Sequence, residues 1–287
     1  MRRNAIILAA GTSSRFVPLS LECPKGLLEV RGEILIERQI RQLKEAGIDD
    51  ISVVVGYKAE MFEYLKDEFG VELVHNEDYS LYNNTSSMIR VLDRLGDTFI
   101  CSSDNYFPTN VFQGNPTQSR YSALYASGPT LEYCIQTDDE GIIKNVTVGG
   151  RDSWYMVGHV YFSKDFSESF KNLLLKEYEK YEVRKGYWED VYIKNIDALP
   201  PMRINRYGVD EIMEFDTIDE LREFDLSYID NTRSETIKDI AGRLGCREGD
   251  LTGFRKLQAN GEGIRFSFSC KGKLHVYDSR NDTLTVI

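Results

Sequence analysis

Apolar residues in this chain come either in short unbroken runs or at every third and fourth position, and the two patterns alternate. Residues 5–10 (AIILAA) form a continuous apolar run that stops at Gly11. A run of that length bounded by turn residues predicts a strand buried on both faces. Leu35, Ile36, Ile40, Leu43 and Ala46 then recur at helical spacing, with Gly47 placed as a helix C-terminal glycine. Residues 51–55 predict a second buried strand. Met61, Phe62, Leu65 and Phe69 mark another amphipathic helix closed by Gly70, and residues 71–74 return to strand. This βαβαβ order predicts a parallel sheet wrapped by helices. Residues 98–101 add a core strand running into Ser102-Ser103-Asp104-Asn105. Asp104 is therefore expected at a strand's carboxyl end, where open α/β sheets bind ligands.

From about residue 121 to 163 the pattern changes to strands with turns, at Asp138-Asp139-Glu140-Gly141 and at Gly149-Gly150. Helix returns over 165–181, and Ile218, Leu221 and Phe224 mark a helix after Asp216. Polar residues over 229–237 suggest a boundary, which divides the chain into a main domain of 1–229 and a small module of 230–287. The module reads as one short helix (Ile237, Ile240, Ala241, Leu244, Gly245) and strands at 264–269 and 273–277. The expected class is α/β, a doubly wound, mostly parallel sheet with a small α+β C-terminal appendage.

At 287 residues, 41% hydrophobic and 28% charged, the composition is that of a globular chain with a sizeable core. The net charge of −11 sets a nucleic-acid or anionic-membrane surface against the overall field, so an anionic substrate must be met by local cations or a metal. Cysteines 23, 101, 134, 246 and 270 are odd in number and scattered, which suits free thiols and the cytoplasm. Met1-Arg2-Arg3 before residues 5–10 superficially resembles a signal peptide, but the apolar run is too short. No segment approaches the roughly 18 apolar residues of a membrane span. Homodimerisation stays open.

The loop after the first strand holds the first candidate chemistry. A Gly-Ser turn there exposes amide groups, and Arg15 and Lys25 add cations from its two ends. That outlines a triphosphate cradle, although the spacing is neither a Walker A loop nor a dinucleotide fingerprint. A plain strand-to-helix turn with two solvated cations is the alternative. Asp104 suits a Mg²⁺ ligand or merely an Asp-Asn turn. Asp216, in EFDTIDEL, offers a second carboxylate, while Asp216 or Thr217 could equally cap the following helix, with Glu220 completing a capping box. YNNTSSM (82–88) could read a base edge or start a helix from Asn84 or Thr85. Tyr133, Trp154 and GYWED (186–190) place aromatics beside carboxylates, as a quaternary ammonium requires, and packing is the competing role. His75, His159 and His275 are far apart and form no ligand pattern.

LAAGTSSRFVPLSLECPKGLLEV resembles the nucleotidyltransferase signature LAAGxGxRxxPxTxxxPKxLxxV, with the Arg15-to-Lys25 interval kept, Ser20 for Thr and Ser13 for the second glycine. With ILIERQIRQLKEAGIDDISVVVGY, YNNTSSM, SSDNYF, YWED and EFDTIDELREF, residues 4–228 are similar to the bacterial CTP:phosphocholine cytidylyltransferases and their 2-aminoethylphosphonate relatives. The resemblance implies a Rossmann-like nucleotidyltransferase fold and transfer of CMP from CTP to phosphocholine, giving CDP-choline and pyrophosphate. It implies catalytic roles for Lys25, Arg15, Asp104 and Asp216, with Asp104 and Asp216 holding Mg²⁺. Ala10, Gly11, Arg15 and Lys25 would bind the nucleotide together with Asp104, and Asn84 and Ser86 would lie near the cytosine. Tyr133, Tyr187, Trp188 and Glu189 would bind the acceptor. A 2-aminoethylphosphonate acceptor is the competing chemistry, and a non-catalytic nucleotide-sensing module the competing class. The tail LTGFRKLQANGEGIRFSFSCKGKLHVYDSR resembles the start of a choline kinase amino-terminal lobe, without the kinase's catalytic aspartates. It is expected to be a remnant or packing module, and a chain ending near Asp230 is expected to keep nucleotidyl transfer.

Overall fold

The computed structural model describes residues 3–257 and 264–287. Met1 and Arg2 of the signal-like opening, and residues 258–263 of the kinase-like stretch, lie outside the described residues. The chain divides into two units, Met1–Gly11 with Leu35–Met213 and Thr12–Ile34 with Glu214–Ile287. The expected boundary at 229/230 falls inside the second unit.

The first unit is built on a seven-stranded sheet. Its strands are β1 (Asn4–Ala9), β2 (Asp50–Val55), β3 (Glu72–His75), β4 (Thr98–Ser102), β5 (Arg120–Thr137), β6 (Ile143–Phe162) and β7 (Arg203–Arg206), in the order β7-β5-β6-β4-β1-β2-β3. β1 runs parallel to both neighbours, with Asn4 opposite Asp50 and Thr98. β2–β3 and β5–β7 are also parallel, while β6 is antiparallel to β4 and β5. The unbroken apolar runs are explained by burial: Ile6, Ile7, Val53 and Val54 have no exposed surface. Crossovers use α1 (Leu35–Glu45) and α2 (Tyr64–Phe69), whose closing glycines Gly47 and Gly70 take positive φ as the sequence predicted. α3 (Thr85–Arg90), α4 (Lys164–Glu177) and α5 (Trp188–Ile193) follow.

The stretch 121–163 is one long hairpin rather than several short strands. Its tip is the expected turn at 138–141, where the Asp138 carboxylate accepts from the amides of Glu140 and Ile142. Gly149-Gly150, expected as a second turn, instead lies within β6. Gly150 pairs with Thr130, and the register shifts between Thr130 and Tyr133. A bulge, not a reversal, absorbs the left-handed φ of Gly149. His159 is buried with its ring stacked on Phe99, and burial pushes its pKa down to about 3, so it stays neutral.

In the second unit the loop 12–34 is accompanied by α6 (Ile218–Phe224), α7 (Glu235–Leu244) and an antiparallel four-stranded sheet. That sheet is β8 (Leu251–Leu257), β9 (Arg265–Cys270), β10 (Lys273–Asp278) and β11 (Thr283–Val286). β9 and β10 were legible, whereas β8 was not, because it buries Leu251 and Phe254 at a spacing of three across a bulge. Cys246 and Cys270, scattered in sequence, lie with their Sγ atoms 3.6 Å apart. Among the described residues no helix is long and apolar enough to cross a membrane.

Candidate active site

The signature loop gathers its charges within the second unit. Arg15 lies in the middle of a short turn, Ser14–Phe16, and its Nη1 lies 2.7 Å from Asp216 Oδ2. Lys25, only 6% exposed, places Nζ 3.8 Å from Asp216 Oδ1 and 5.7 Å from the centre of the Phe16 ring. The two cations therefore converge on one carboxylate, and the reading of two independently solvated residues is excluded. Ser13, where the signature has its second glycine, has φ +47°, so the left-handed backbone is kept without the glycine. Gly11 is different. A Cβ added there meets no atom within 4 Å, so neither packing nor conformation demands glycine in the ligand-free chain.

Asp216 is not the helix cap. Thr217 Oγ1 accepts from the Glu220 amide, and the Glu220 carboxylate accepts from the amides of Thr217 and Asp216. That capping box satisfies the start of α6 and leaves the Asp216 carboxylate to the two cations.

Asp104, in the first unit, stands in the turn after β4, as expected. The turn is fixed from two sides: Ser103 N donates to Leu8 O of β1, and Gln39 Nε2 of α1 donates to Ser102 O and Asn105 O. Gln39 is 1% exposed. Gly158 of β6 completes the support, since a Cβ there would stand 2.7 Å from the Ser102 Cβ. Neither Gln39 nor Gly158 carries a local sequence signal for this role. Their partners are more than 50 residues away.

The acceptor-side residues form a second cluster in the same unit. Asn84 spends its whole amide on α5, with Oδ1 accepting from Trp188 N at 2.9 Å and Nδ2 donating to Glu189 Oε2 at 3.2 Å. Glu189 also accepts from Tyr121 OH at 3.2 Å. Burial, opposed by these hydrogen bonds, pushes its carboxyl up to about 7. Next to it, Asp190 accepts from Tyr133 OH at 2.9 Å and from Tyr187 N at 3.0 Å. Tyr133 and Tyr187 meet edge to face at 6.4 Å, and Tyr187 is 45% exposed. Tyr121 and Asp190 are additions to the residues expected here. Their roles depend on the fold, since Tyr121 lies 68 residues from Glu189.

Three expectations are corrected. Trp188 does not offer a face to a ligand: it is 2% exposed, stacked on Tyr121 and edged by Phe162 and Phe170, so it packs the core. Ser86 is fully buried, accepting from Asn76 Nδ2 and donating to Asn83 O, which removes it from any base edge. Asn84, expected near the cytosine, has both ends of its amide bonded to α5 instead, and the same commitment keeps it from serving as the alternative cap of α3. Trp154, the other tryptophan, lies under the Arg206 guanidinium.

For a magnesium ion, among the described residues no three histidine, cysteine or acidic side chains gather as a self-sufficient site. Single hard carboxylates such as Asp104 and Asp216 nevertheless match the usual Mg²⁺ pattern, in which one or two carboxylates are supplemented by phosphate oxygens and water.

Residues 5–113 match the MobA-like NTP transferase domain. The 2-aminoethylphosphonate cytidylyltransferase of Lancefieldella rimae is 37% identical over 81% of this chain and 96% of its own length. The choline-phosphate cytidylyltransferase of Streptococcus pneumoniae is 33% identical over 77% and 96%. The solved structure of the CTP:phosphocholine cytidylyltransferase from Streptococcus pneumoniae superposes with a TM-score of 0.75 at 33% identity, covering 78% of this chain and 97% of that one. On this identity and coverage, with a mostly parallel sheet, the chain belongs to the nucleotidyltransferase family of the choline-phosphate and 2-aminoethylphosphonate cytidylyltransferases.

Proposed function

We propose that this chain is a cytidylyltransferase that moves CMP from CTP to phosphocholine, releasing pyrophosphate and forming CDP-choline. The observation that carries the reading is the convergence of Arg15 and Lys25 on Asp216. An exposed guanidinium, 72% accessible, can exchange its carboxylate partner for a polyphosphate, and a nearly buried ammonium beside it holds a fixed positive charge. Arg15 and Lys25 would neutralise the triphosphate and the leaving pyrophosphate, and the Gly11 backbone would let phosphate oxygens come close. The acceptor phosphate, with a second pKa near 6, is largely dianionic at neutral pH and needs no general base. Asp104 and Asp216 would hold Mg²⁺, which when bound supplies charge neutralisation at the phosphates. The acceptor's ammonium would meet Glu189, Asp190 and the Tyr133–Tyr187 pair.

A second reading, 2-aminoethylphosphonate as the acceptor, is favoured by one observation. With Trp188 buried, the acceptor cluster is dominated by carboxylates and hydroxyls, which can accept hydrogen bonds from a primary ammonium but not from a trimethylammonium. A pyrophosphate-release assay separates the two. CTP, UTP, dTTP and ATP are each crossed with phosphocholine, phosphoethanolamine and 2-aminoethylphosphonate. Turnover with CTP and phosphocholine is expected to dominate. A tenfold or greater preference in kcat/KM for 2-aminoethylphosphonate establishes the second reading, and no turnover with any pair overturns both.

A further inference from the structure

The signature loop is held by a segment more than 200 positions away in sequence. Glu22 lies between Arg15 and Lys25, and its carboxylate sits on the start of α7. Ser234 Oγ donates to Glu22 Oε1 at 2.7 Å, and the Glu235 and Thr236 amides donate to Oε2 and Oε1 at 2.9 and 3.0 Å. The same Ser234 hydroxyl accepts from Ile237 N, so one side chain caps α7 and binds the loop. A carboxylate on a helix's leading amides also meets the positive end of the helix dipole. Burial opposes the charge, but these hydrogen bonds keep the Glu22 carboxyl below the ordinary glutamate range, as a fixed anion.

A second attachment joins the same module to the segment carrying Asp216. Arg222 of α6, 7% exposed, donates to Leu251 O at 2.6 Å and to Glu248 O at 2.8 Å. Asp219 of α6 accepts from Gly253 N at 2.7 Å. The module after Asp230 thus grips both pieces of chain that supply the charged cluster, the loop through Glu22 and the helix through Arg222 and Asp219. The relatives have little room for such a module: they are matched over 96% of their own lengths, while about a fifth of this chain is left over, close to the share that follows Asp230.

We propose that Glu22 is a positioning residue and that the module beginning at Ser234 sets the place of Arg15 and Lys25 relative to Asp216. The inference rests on the cytidylyltransferase reading for its kinetic consequence. The test uses the full chain with Glu22→Ala, Glu22→Gln and Ser234→Ala. Arg243→Ala is the control, because among the described residues Arg243 pairs within the module, with Asp239 and Asp282. Pyrophosphate release, thermal unfolding and trypsin cleavage after Arg15 and Lys25 are followed for each. Displaced cations make Glu22→Ala lose roughly 10- to 100-fold in kcat/KM for CTP. Acceptor KM is expected to hold, and Ser234→Ala to follow in the same direction. Glu22→Gln recovers most of the loss, since its amide oxygen still accepts from α7. Arg243→Ala lowers Tm without changing the CTP parameters. Faster cleavage of the loop in Glu22→Ala and Ser234→Ala, but not in Arg243→Ala, reports the same displacement without relying on turnover. Unchanged CTP kinetics and cleavage in Glu22→Ala overturn the proposal, as do losses that track Tm equally in all variants. An inactive wild-type chain refutes the cytidylyltransferase reading instead, and the cleavage pattern still decides the role of Glu22.

Discussion

Gly11 and Glu189 show how much a single position can carry. Because a Cβ at Gly11 meets nothing within 4 Å, Gly11→Ala is expected to fold with unchanged Tm. It should raise the KM for CTP, since the added methyl occupies space that phosphate oxygens would take; a normal KM removes Gly11 from the nucleotide site. For Glu189 the sign follows from linkage. Its folded pKa, about 7, lies above the ordinary 4.5, so the folded chain binds the extra proton between these values and stability falls as pH rises through that window. Glu189→Gln should therefore raise Tm above pH 7 relative to wild type and leave it unchanged below about pH 4. A cation beside the carboxylate favours its ionised form, so acceptor KM should fall as pH rises through 7 in wild type, beyond the slope that Glu189→Gln retains. Parallel pH profiles would separate Glu189 from the acceptor. Arg15 and Lys25 could be read as a pair because the signature fixes their local spacing, whereas Asp216 came from the separate EFDTIDEL stretch, where a helix cap competed with a ligand role. Glu22 was not legible, since it reads as one more surface acid until the fold supplies its partner, and for Asp190, noted only within GYWED, the bonds to Tyr133 and Tyr187 were not readable.

Elements position the chemistry through their ends. At α6 the capping and charge roles fall on neighbouring residues, which makes them separable. Thr217→Ala should cost about 1 kcal/mol of stability with turnover within a few-fold of wild type. Asp216→Asn should cut turnover by roughly 100-fold or more through lost electrostatics. The reverse pattern in denaturant melts and initial rates would return Asp216 to a capping role. At the end of β4 the Asp104 turn depends on the close approach of Gly158. Gly158→Ala should push Ser102 aside, destabilising the chain by about 1 to 3 kcal/mol and lowering turnover with it. Wild-type stability in that variant would show that the turn has room to yield. The buried strands and the helices with closing glycines were readable because each pattern is local. In the 121–163 hairpin the strands and the 138–141 turn were readable too, but the continuity through Gly149-Gly150 was not, because a bulge there carries the glycines that signal a turn.

For the chain as a whole, sequence suggested a tail that could be cut away near Asp230, and the second unit gives that tail a task. Both tryptophans, Trp154 and Trp188, belong to the first unit, so their fluorescence reports that unit alone. A chain ending at Asp230 is expected to keep the tryptophan unfolding transition of the full chain while losing most CTP turnover; retained turnover would restore the separable tail. The signature loop was recognisable from residues 8–30 alone, but what holds it was not, because no pattern within a window reveals a bond to Ser234, 212 positions away. That interval is also a duration. At about 5 to 20 residues per second, a ribosome needs roughly 10 to 40 s to pass from Glu22 to Ser234. Throughout that time the loop has emerged without its anchor. A polypeptide released before Ser234 is therefore born with its loop unanchored, and translation past that residue is what lets the charge cluster assemble.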